Sequence, residues 1–516
     1  MTNLKNLLNA FLPKSLTDHN VRLLLLQRFV RFYAYGSSTL ILAHFFMVLR
    51  NSPSRTGLFM TLTLYGDVVI SLLLTLFADR LGRRNILLLG ATLMIMSGIT
   101  FALVSNFWIL LLAAVFGVIS PAGNEIGPFR AIEESITAQL VEGGTRTEVF
   151  AWFNLIGALG SALGSVSCGW LVNYLVNGDR GASEESAYRV VFWIYSAVGL
   201  VKLALTWGLT EECEVVKSSE GRGESLLRNE HRGSDRRGEG EGESESESLL
   251  RNEHAGRGEG ESLLRNEHAG SRRSGLLRLM IPKISTESLS ILWKLCLLFA
   301  VDSTASGLAP TSWLTYYFTT KHKLNISALG ILFFTTSLLA AASSLLVVPI
   351  SKRLGLIRTM VYTHLSSAIF LTMIPIPGSS HVGTRFAISF LIVRSLMASM
   401  DQPPRTAFLT AIMMPEERTA VMGVVNTVKT FSQGAGPLVT GWLGGKGKMG
   451  VAFFIAGLMK ILYDLGLSAF LLRGETSQRI RNGDQGQEAS YKSVQDEEGN
   501  VEEETVFLVS SDDGSG

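Results

Sequence analysis

Apolar residues run along the chain in stretches of about 20, the length a helix needs to cross the ~30 Å hydrocarbon core of a bilayer. Twelve such stretches can be read. Six lie near 32–49, 56–78, 85–105, 107–126, 149–176 and 189–209, and six near 290–318, 328–350, 357–376, 384–402, 419–443 and 449–472. Polar residues interrupt the stretches near 107–126 and 290–318. The pattern predicts an all-α membrane protein with twelve transmembrane helices. It divides the chain into an N-terminal segment (1–31), a first six-helix bundle (32–209), a polar loop (210–289), a second six-helix bundle (290–472) and an acidic tail (473–516).

Composition sharpens this. The segments 211–288 and 473–516 hold 30 and 15 of the 90 Asp, Glu, Lys and Arg residues. The other 394 residues carry 45, about 11%, against about 25% for an ordinary soluble protein. That is too little charge to coat several soluble domains. Three cysteines exclude a disulfide scaffold, and a net charge of +2 gives no support for nucleic-acid binding.

The N-terminus is no signal peptide. Leu4, Leu7, Leu8, Phe11 and Leu12 have helical spacing without a small-residue cleavage site, so a short interfacial helix is expected. Basic residues of the short joints set the orientation. With a cytoplasmic N-terminus, fifteen fall inside, among them Arg28, Arg31, Arg80, Arg83, Arg84 and Arg405, and nine outside. An even number of spans then puts both termini and the long loop in the cytoplasm. The sequon Asn325-Ile326-Ser327 falls on the outer side.

The long loop contains three near-copies of Glu-Ser-Leu-Leu-Arg-Asn-Glu-His, beginning at Glu224, Glu247 and Glu261. Low complexity and few aromatics predict disorder there, and in the acidic tail. Glu245 stands four residues before Leu249-Leu250, and Glu259 four before Leu263-Leu264. That pattern resembles acidic dileucine sorting signals. The plainer explanation is that the pair was copied with the repeat. The expected location is the plasma membrane or a vacuolar membrane.

The two halves repeat each other. Gly57 to Gly82 spans the same interval as Gly330 to Gly355. Arg146-Thr147-Glu148-Val149 matches Arg418-Thr419-Ala420-Val421, and Gly169-Trp170-Leu171 matches Gly441-Trp442-Leu443. Asn154 matches Asn426 and Gly164 matches Gly436. Two parallel repeats joined by a polar loop predict two pseudo-symmetric six-helix halves around a central cavity, with the substrate site between them.

Ala78-Asp79-Arg80-Leu81-Gly82-Arg83-Arg84, between spans two and three, resembles motif A of the major facilitator superfamily, with Thr75 where that motif has glycine. The resemblance covers about 394 residues, and the long central loop is similar to that of many fungal members. It implies alternating access by rocking of the two halves. Spans 3, 6, 9 and 12 are then outside and the rest face the cavity. It also implies that Asp79 latches to the N-terminal end of span eleven, where Arg418 stands, in the outward-facing state. Arg80, Gly82, Arg83 and Arg84 belong to the same motif. The family's antiporter motif is not reproduced, since span five has Gly164-Ser165 in place of Gly-Pro.

Ionisable residues inside spans are costly and mark function by default. Asp67, Asp302, Arg394 and Lys429 fall near the middle of cavity spans. Glu125 lies lower in span four, and Asn154 and Asn426 are equivalent hydrogen-bonding positions. The competing explanation is permanent pairing, for instance of Asp67 with Lys429 or Arg394. Lys460 and Asp464, four apart in span twelve, are expected to pair within their helix. Lys202 is expected at most to snorkel, and His44 and His364 to be packed, with His44 also a candidate proton carrier.

The expected function is a secondary active transporter of small organic solutes, working by alternating access and coupled to protons. The alternatives are a non-transporting solute sensor of the same fold and an uncoupled facilitator. No nucleotide loop, catalytic triad or metal cluster is present, so no enzyme activity, cofactor or metal is expected. The expected partners are a small-molecule substrate, protons and membrane lipids, with the protein a monomer. Arg394 and Lys429 lean toward an anionic solute, which pairing with Asp67 and Asp302 would cancel.

Overall fold

The computed structural model describes residues 18–117, 119, 121, 128–141, 146–178, 181–214, 286–401, 405 and 418–472. The N-terminal half comprises α1 (His19–Val48), α2 (Pro53–Leu81), α3 (Arg83–Leu103), α4 (Phe107–Gly117), α5 (Pro128–Leu140), α6 (Arg146–Asn177) and α7 (Glu184–Trp207). The C-terminal half comprises α8 (Thr286–Leu308), α9 (Thr311–His322), α10 (Ile326–Leu354), α11 (Leu356–Met373), α12 (His381–Ala398), α13 (Arg418–Gly445) and α14 (Met449–Leu472). These elements make twelve spans, because span four is divided into α4 and α5 and span seven into α8 and α9. The polar interruptions read in the sequence fall at those two divisions. The proposed interfacial helix, residues 215–285 of the long loop and the acidic tail lie outside the described residues, while the loop's ends form a helical turn at Glu211–Cys213 and the start of α8 at Thr286.

Local chemistry fixes the joints. Asp18 caps α1 by accepting from the backbone N–H of Asn20 (2.7 Å) and Val21 (3.1 Å). Ser183, Asn325 and Ser380 cap α7, α10 and α12 in the same way. The Asn325 side chain of the sequon is thus engaged as a cap. Pro310 lacks an N–H, and α8 and α9 meet there at a bend of 41°.

Two sequence expectations change. The first span starts at His19, not near residue 32, so Arg28 and Arg31 are inside a helix and buried. Arg405 is buried too. Removing these three from the fifteen inner basic residues leaves twelve against nine, and the charge bias weakens. The second change concerns α1, α2 and α13, which carry charge inside the bundle. Among the described residues five helices are long and apolar enough to cross a membrane by length and composition alone, and α8 with α9 makes six. In α1 the buried Arg31 is met by Glu133 of a neighbouring helix, so that span tolerates less lipophilic sequence.

The duplication is visible in three dimensions. Gly36 of α1 abuts the carbonyl of Ser161 in α6, and Gly307 of α8 abuts that of Gln433 in α13. The offsets are 271 and 272 residues (36 to 307, 161 to 433). Pro437 cannot donate to Gln433, so that carbonyl is free of its helical bond where Gly307 approaches. The halves themselves meet through a second repeated crossing. Gly57 of α2 lies against Pro437 and Gly441 of α13, and Gly330 of α10 against Ser165 and Gly169 of α6. A Cβ added at Gly57 would come within 2.5 Å of the Pro437 carbonyl, and one at Gly330 within 2.7 Å of the Ser165 carbonyl. Only glycine permits this approach.

Hydrogen bonds add to the closure at the same end of the bundle. His44 Nε2 is 3.0 Å from Thr319 Oγ1, and Ser312 Oγ donates to the Thr39 and Pro121 carbonyls at 3.0 and 2.7 Å. Thr61 Oγ1 accepts from the Leu438 N–H at 3.1 Å. Tyr65 of α2 stacks on Phe431 of α13 with centroids 5.0 Å apart. Beneath this end, Phe45, Phe46, Phe59, Phe101 and Phe192 form the buried aromatic core of the N-terminal half, with Phe46 and Phe59 centroids 4.2 Å apart.

Candidate functional site

The C-terminal half holds a buried ionic cluster centred on Asp302 of α8. Lys460 Nζ of α14 donates to Asp302 Oδ1 at 2.5 Å and to Ser306 Oγ at 2.8 Å. Arg405 Nη1 donates to Asp302 Oδ2 at 2.9 Å, and its Nη2 to Asp401. His364 of α11 completes the group, with Nε2 3.3 Å from Asp302 Oδ1 and Nδ1 2.9 Å from Asp464 of α14. The Arg405 guanidinium lies beside Tyr463, 5.5 Å from the ring centroid, and Lys429 Nζ lies 5.6 Å from that of Phe299. An ion this deep is tolerable only when its partners and hydrogen bonds are in place.

The N-terminal half carries a smaller counterpart. Arg31 Nη2 of α1 donates to Glu133 Oε2 of α5 at 2.5 Å, and Lys202 Nζ of α7 is 3.6 Å from Glu133 Oε1. Arg28 Nη2 donates to Asn154 Oδ1 at 3.4 Å and stacks 4.1 Å over Phe153.

Several sequence expectations are corrected here. Lys460 and Asp464 do not pair with each other. Each reaches a different helix, because a buried interhelical partner removes more unpaired charge than an i,i+4 contact does. Lys202 does not merely snorkel: it is buried against Glu133. His364 is not a lone packed histidine. Among the described residues no ion pair joins Asp67 to Lys429 or Arg394. Asp67 is buried, and its Oδ1 has no hydrogen-bond partner. Arg394 Nε likewise has none, while its carbonyl accepts from Ser367 at 3.2 Å. Asn154 and Asn426 are exposed on α6 and α13. Glu125 lies outside the described residues. Reading the sequence missed Arg31, Glu133, His364, Asp401, Arg405, Lys460 and Asp464 as one type of site.

The motif A turn is described at its second half. Gly82 has φ +86° and gives α3 no side-chain cap. Glu214, beyond the far end of α7, supplies it: its carboxylate accepts from the backbone N–H of Arg83 at 2.8 Å and of Arg84 at 3.0 Å. Arg84 Nη2 donates to the Trp207 carbonyl (2.6 Å), and Arg83 Nη1 to Gln139 Oε1 (2.8 Å). Gln139 in turn donates to the Glu212 and Glu214 carbonyls. These arginines therefore bind the root of the long loop to α3 and α5, which a topology-only role would not require. Asp79 and Arg80 close α2 and Arg418 opens α13, but their side chains lie outside the described set, as do Glu245, Leu249, Leu250, Glu259, Leu263 and Leu264.

The sequence pattern of the Major Facilitator Superfamily matches residues 24–391 and 295–503. The chain belongs to that superfamily. It is 33% identical over 462 residues to YJR124C, an uncharacterized membrane protein of Saccharomyces cerevisiae, covering 90% of this chain and 96% of the yeast protein. Its fold resembles that of a D-xylose–proton symporter (TM-score 0.61, 14% identity, 87% of this chain and 96% of the other). It also resembles the inward-open xylose transporter XylE from E. coli (0.60, 14%, 90% and 99%). The nucleoside transporter NupG is similar at 0.58 and 13%, over 88% and 99%. Major facilitator proteins are carriers, not enzymes, and the chain is a multi-pass membrane protein of this transport family.

Proposed function

We infer that the protein is a secondary active transporter moving a small organic solute by alternating access. The observation that carries this is the pair of repeated glycine crossings, which close one end of the bundle between two equivalent halves. Such a seam needs only a small tilt of one half against the other to open. With the N-terminus in the cytoplasm, the closed end is the outer one and the cavity faces inward. Asp67, Glu125, Asn154, Asn426, Arg394 and Lys429 are the proposed solute-facing groups. Arg394 and Lys429 have no carboxylate ion-pair partner among the described residues, which supports a solute with an anionic group. Asp302 is saturated by protein groups, which supports a scaffold role. The symporter among the solved relatives of the fold supports proton coupling. The protein is proposed to act as a monomer.

Uptake by proteoliposomes from a labelled metabolite pool, with and without a pH gradient, tests this. Accumulation against a gradient supports the proposal. Equilibration alone marks an uncoupled facilitator, and saturable binding without movement marks a sensor.

The loop pairs Leu249-Leu250 and Leu263-Leu264, with Glu245 and Glu259, are proposed as an address to an internal acidic membrane. Replacing the four leucines by Ala should move a fluorescent fusion to the plasma membrane. A wild-type fusion already at the plasma membrane rejects the address.

A further inference from the structure

The imidazole of His364 is bracketed by two carboxylates, Asp464 at Nδ1 and Asp302 at Nε2. A neutral imidazole has one N–H and can donate to one of them only. The other carboxylate then faces a ring lone pair inside a membrane bundle. The observed arrangement is satisfied when one extra proton is present, as imidazolium or as the acid of the pair. Asp302 is already held by Arg405 and Lys460, so the extra proton resides on His364 and Asp464.

We propose that His364 and Asp464 form a proton-binding site in the C-terminal half, and that its occupancy sets whether α11 is tied to α8. With the proton bound, the ring donates to both carboxylates and joins α11, α14 and α8. When the proton leaves to water, one contact must be released. Asp302 keeps two cations without His364, whereas His364 is the ion-pair partner of Asp464 among the described residues, so the α8 contact is the one released. α8 continues through the bend at Pro310 into α9, and α9 carries Ser312 and Thr319, which bond across to Thr39 and His44 of the other half. The proton site therefore acts on the span whose second helix helps to close the bundle. His364 and Asp464 stand on spans nine and twelve and are not themselves among the proposed solute-facing groups.

The charged and titratable groups around His364 come from every neighbouring element. α8 brings Asp302; α14 brings Lys460, Tyr463 and Asp464; α12 brings Arg394, with Asp401 and Arg405 beyond it; and α13 brings Lys429. Arg353, the described charged residue of α10, is exposed at that helix's C-terminal end. Histidine ordinarily titrates between about pH 5 and 8, within reach of physiological gradients.

The proposal deepens the transport reading and is tested so that the two can fail separately. Infrared difference spectra of the full chain in lipid vesicles are recorded on stepping between about pH 5 and pH 9, a window spanning the histidine range. Wild type should give a reversible imidazole–carboxylate change that His364→Gln and Asp464→Asn both lose. Absence of the change in wild type, or its survival in both variants, overturns the proposal. If one variant does not insert, the other decides. If neither does, the ¹⁵N resonances of the wild-type histidines decide, since they separate imidazolium from neutral imidazole. In vesicle uptake from the labelled pool, both variants should lose pH-driven accumulation by more than they lose exchange. Equal loss of both overturns the coupling role. If wild type moves no member of the pool in either mode, the transport reading fails and the spectra stand alone.

Discussion

Arg31 and Asp302 occupy equivalent positions in the two halves and carry opposite charges. Arg31 lies five residues before Gly36, and Asp302 five before Gly307, the two glycines that make the repeated crossing. Their partners are equivalent as well, since Glu133 and Arg405 are 272 residues apart (405 − 133), the offset that relates Ser161 to Gln433. Each half thus ties its first span to its fourth by a buried ion pair, with the polarity exchanged.

These pairs should be costly to break one-sidedly. Asp302→Asn removes the carboxylate shared by Arg405 and Lys460, and Glu133→Gln the carboxylate shared by Arg31 and Lys202. Each is expected to destabilise the fold by about 3–5 kcal/mol. Asp67→Asn removes no ion pair and should leave stability within about 0.5 kcal/mol, or raise it. Thermal unfolding of the three purified variants in detergent checks the contrast. Equal melting temperatures for Asp302→Asn and Asp67→Asn would contradict it.

Glu214 should matter for the motif A turn despite its distance from it in sequence. Glu214→Ala removes two charge-assisted bonds at the N-terminus of α3, an effect of about 1–2 kcal/mol. The neighbouring Cys213 reports the same event. Burial, aided by the negative charges of Asp18, Glu212 and Glu214, pushes its thiol up to about 11. A thiol raised this way is neutral at pH 7.5, so wild type should alkylate slowly there and faster only as pH climbs toward 11. Its contribution to stability is complete below the ordinary thiol value of about 8.5 and fades above it. Maleimide labelling at pH 7.5 should accelerate in Glu214→Ala, and an unchanged rate would separate Cys213 from the clamp.

The glycine seam should resist any side chain. Gly57→Ala together with Gly330→Ala places two methyl groups against the Pro437 and Ser165 carbonyls, so the closed end should spring open. A reporter cysteine at Thr61, in a background lacking the native cysteines, should then react with a membrane-impermeant reagent from the outer side. A reporter that stays protected would mean that the helices yield instead.

Asp79 is the proposed latch of the opposite conformation. Removing a charge at a helix end costs about 0.3–1 kcal/mol, and up to about 2 when partly buried. That moves a balanced two-state population several-fold. Asp79→Asn should therefore favour the inward-facing state and lower transport at unchanged surface expression. Paired cysteine reporters on the two faces measure the shift, and no change on either face counts against the latch.

What was legible in the chain was periodic. Apolar runs gave the twelve spans, and matched glycines such as Gly57 with Gly330 gave the duplication, because both depend on spacing. Pair identity depends on how helices rotate against each other, which spacing does not reveal. Lys460 and Asp464 look like partners on a helical wheel, yet α8 and α11 supply better ones. Arg28 and Arg31 look like flanking charges, because the start of a span is hidden when its first turns are polar and its partners lie on α5 and α6. One usable signal was present. Carrying the 271-residue offset of Gly36 and Gly307 back five positions puts Arg31 opposite Asp302, and a charge reversal inside a repeat suggests a contact made by each half separately.

The exchanged polarity has a consequence for assembly. A chain with two copies of one bundle risks trading helices between them while it inserts into the membrane. If α1 took the place of α8, Arg31 would be driven against Arg405, and α8 in the place of α1 would set Asp302 against Glu133. Like charges buried together are forbidding in a low-dielectric interior. Each first span is thereby marked for its own half, and two similar bundles can fold side by side without being mistaken for one another.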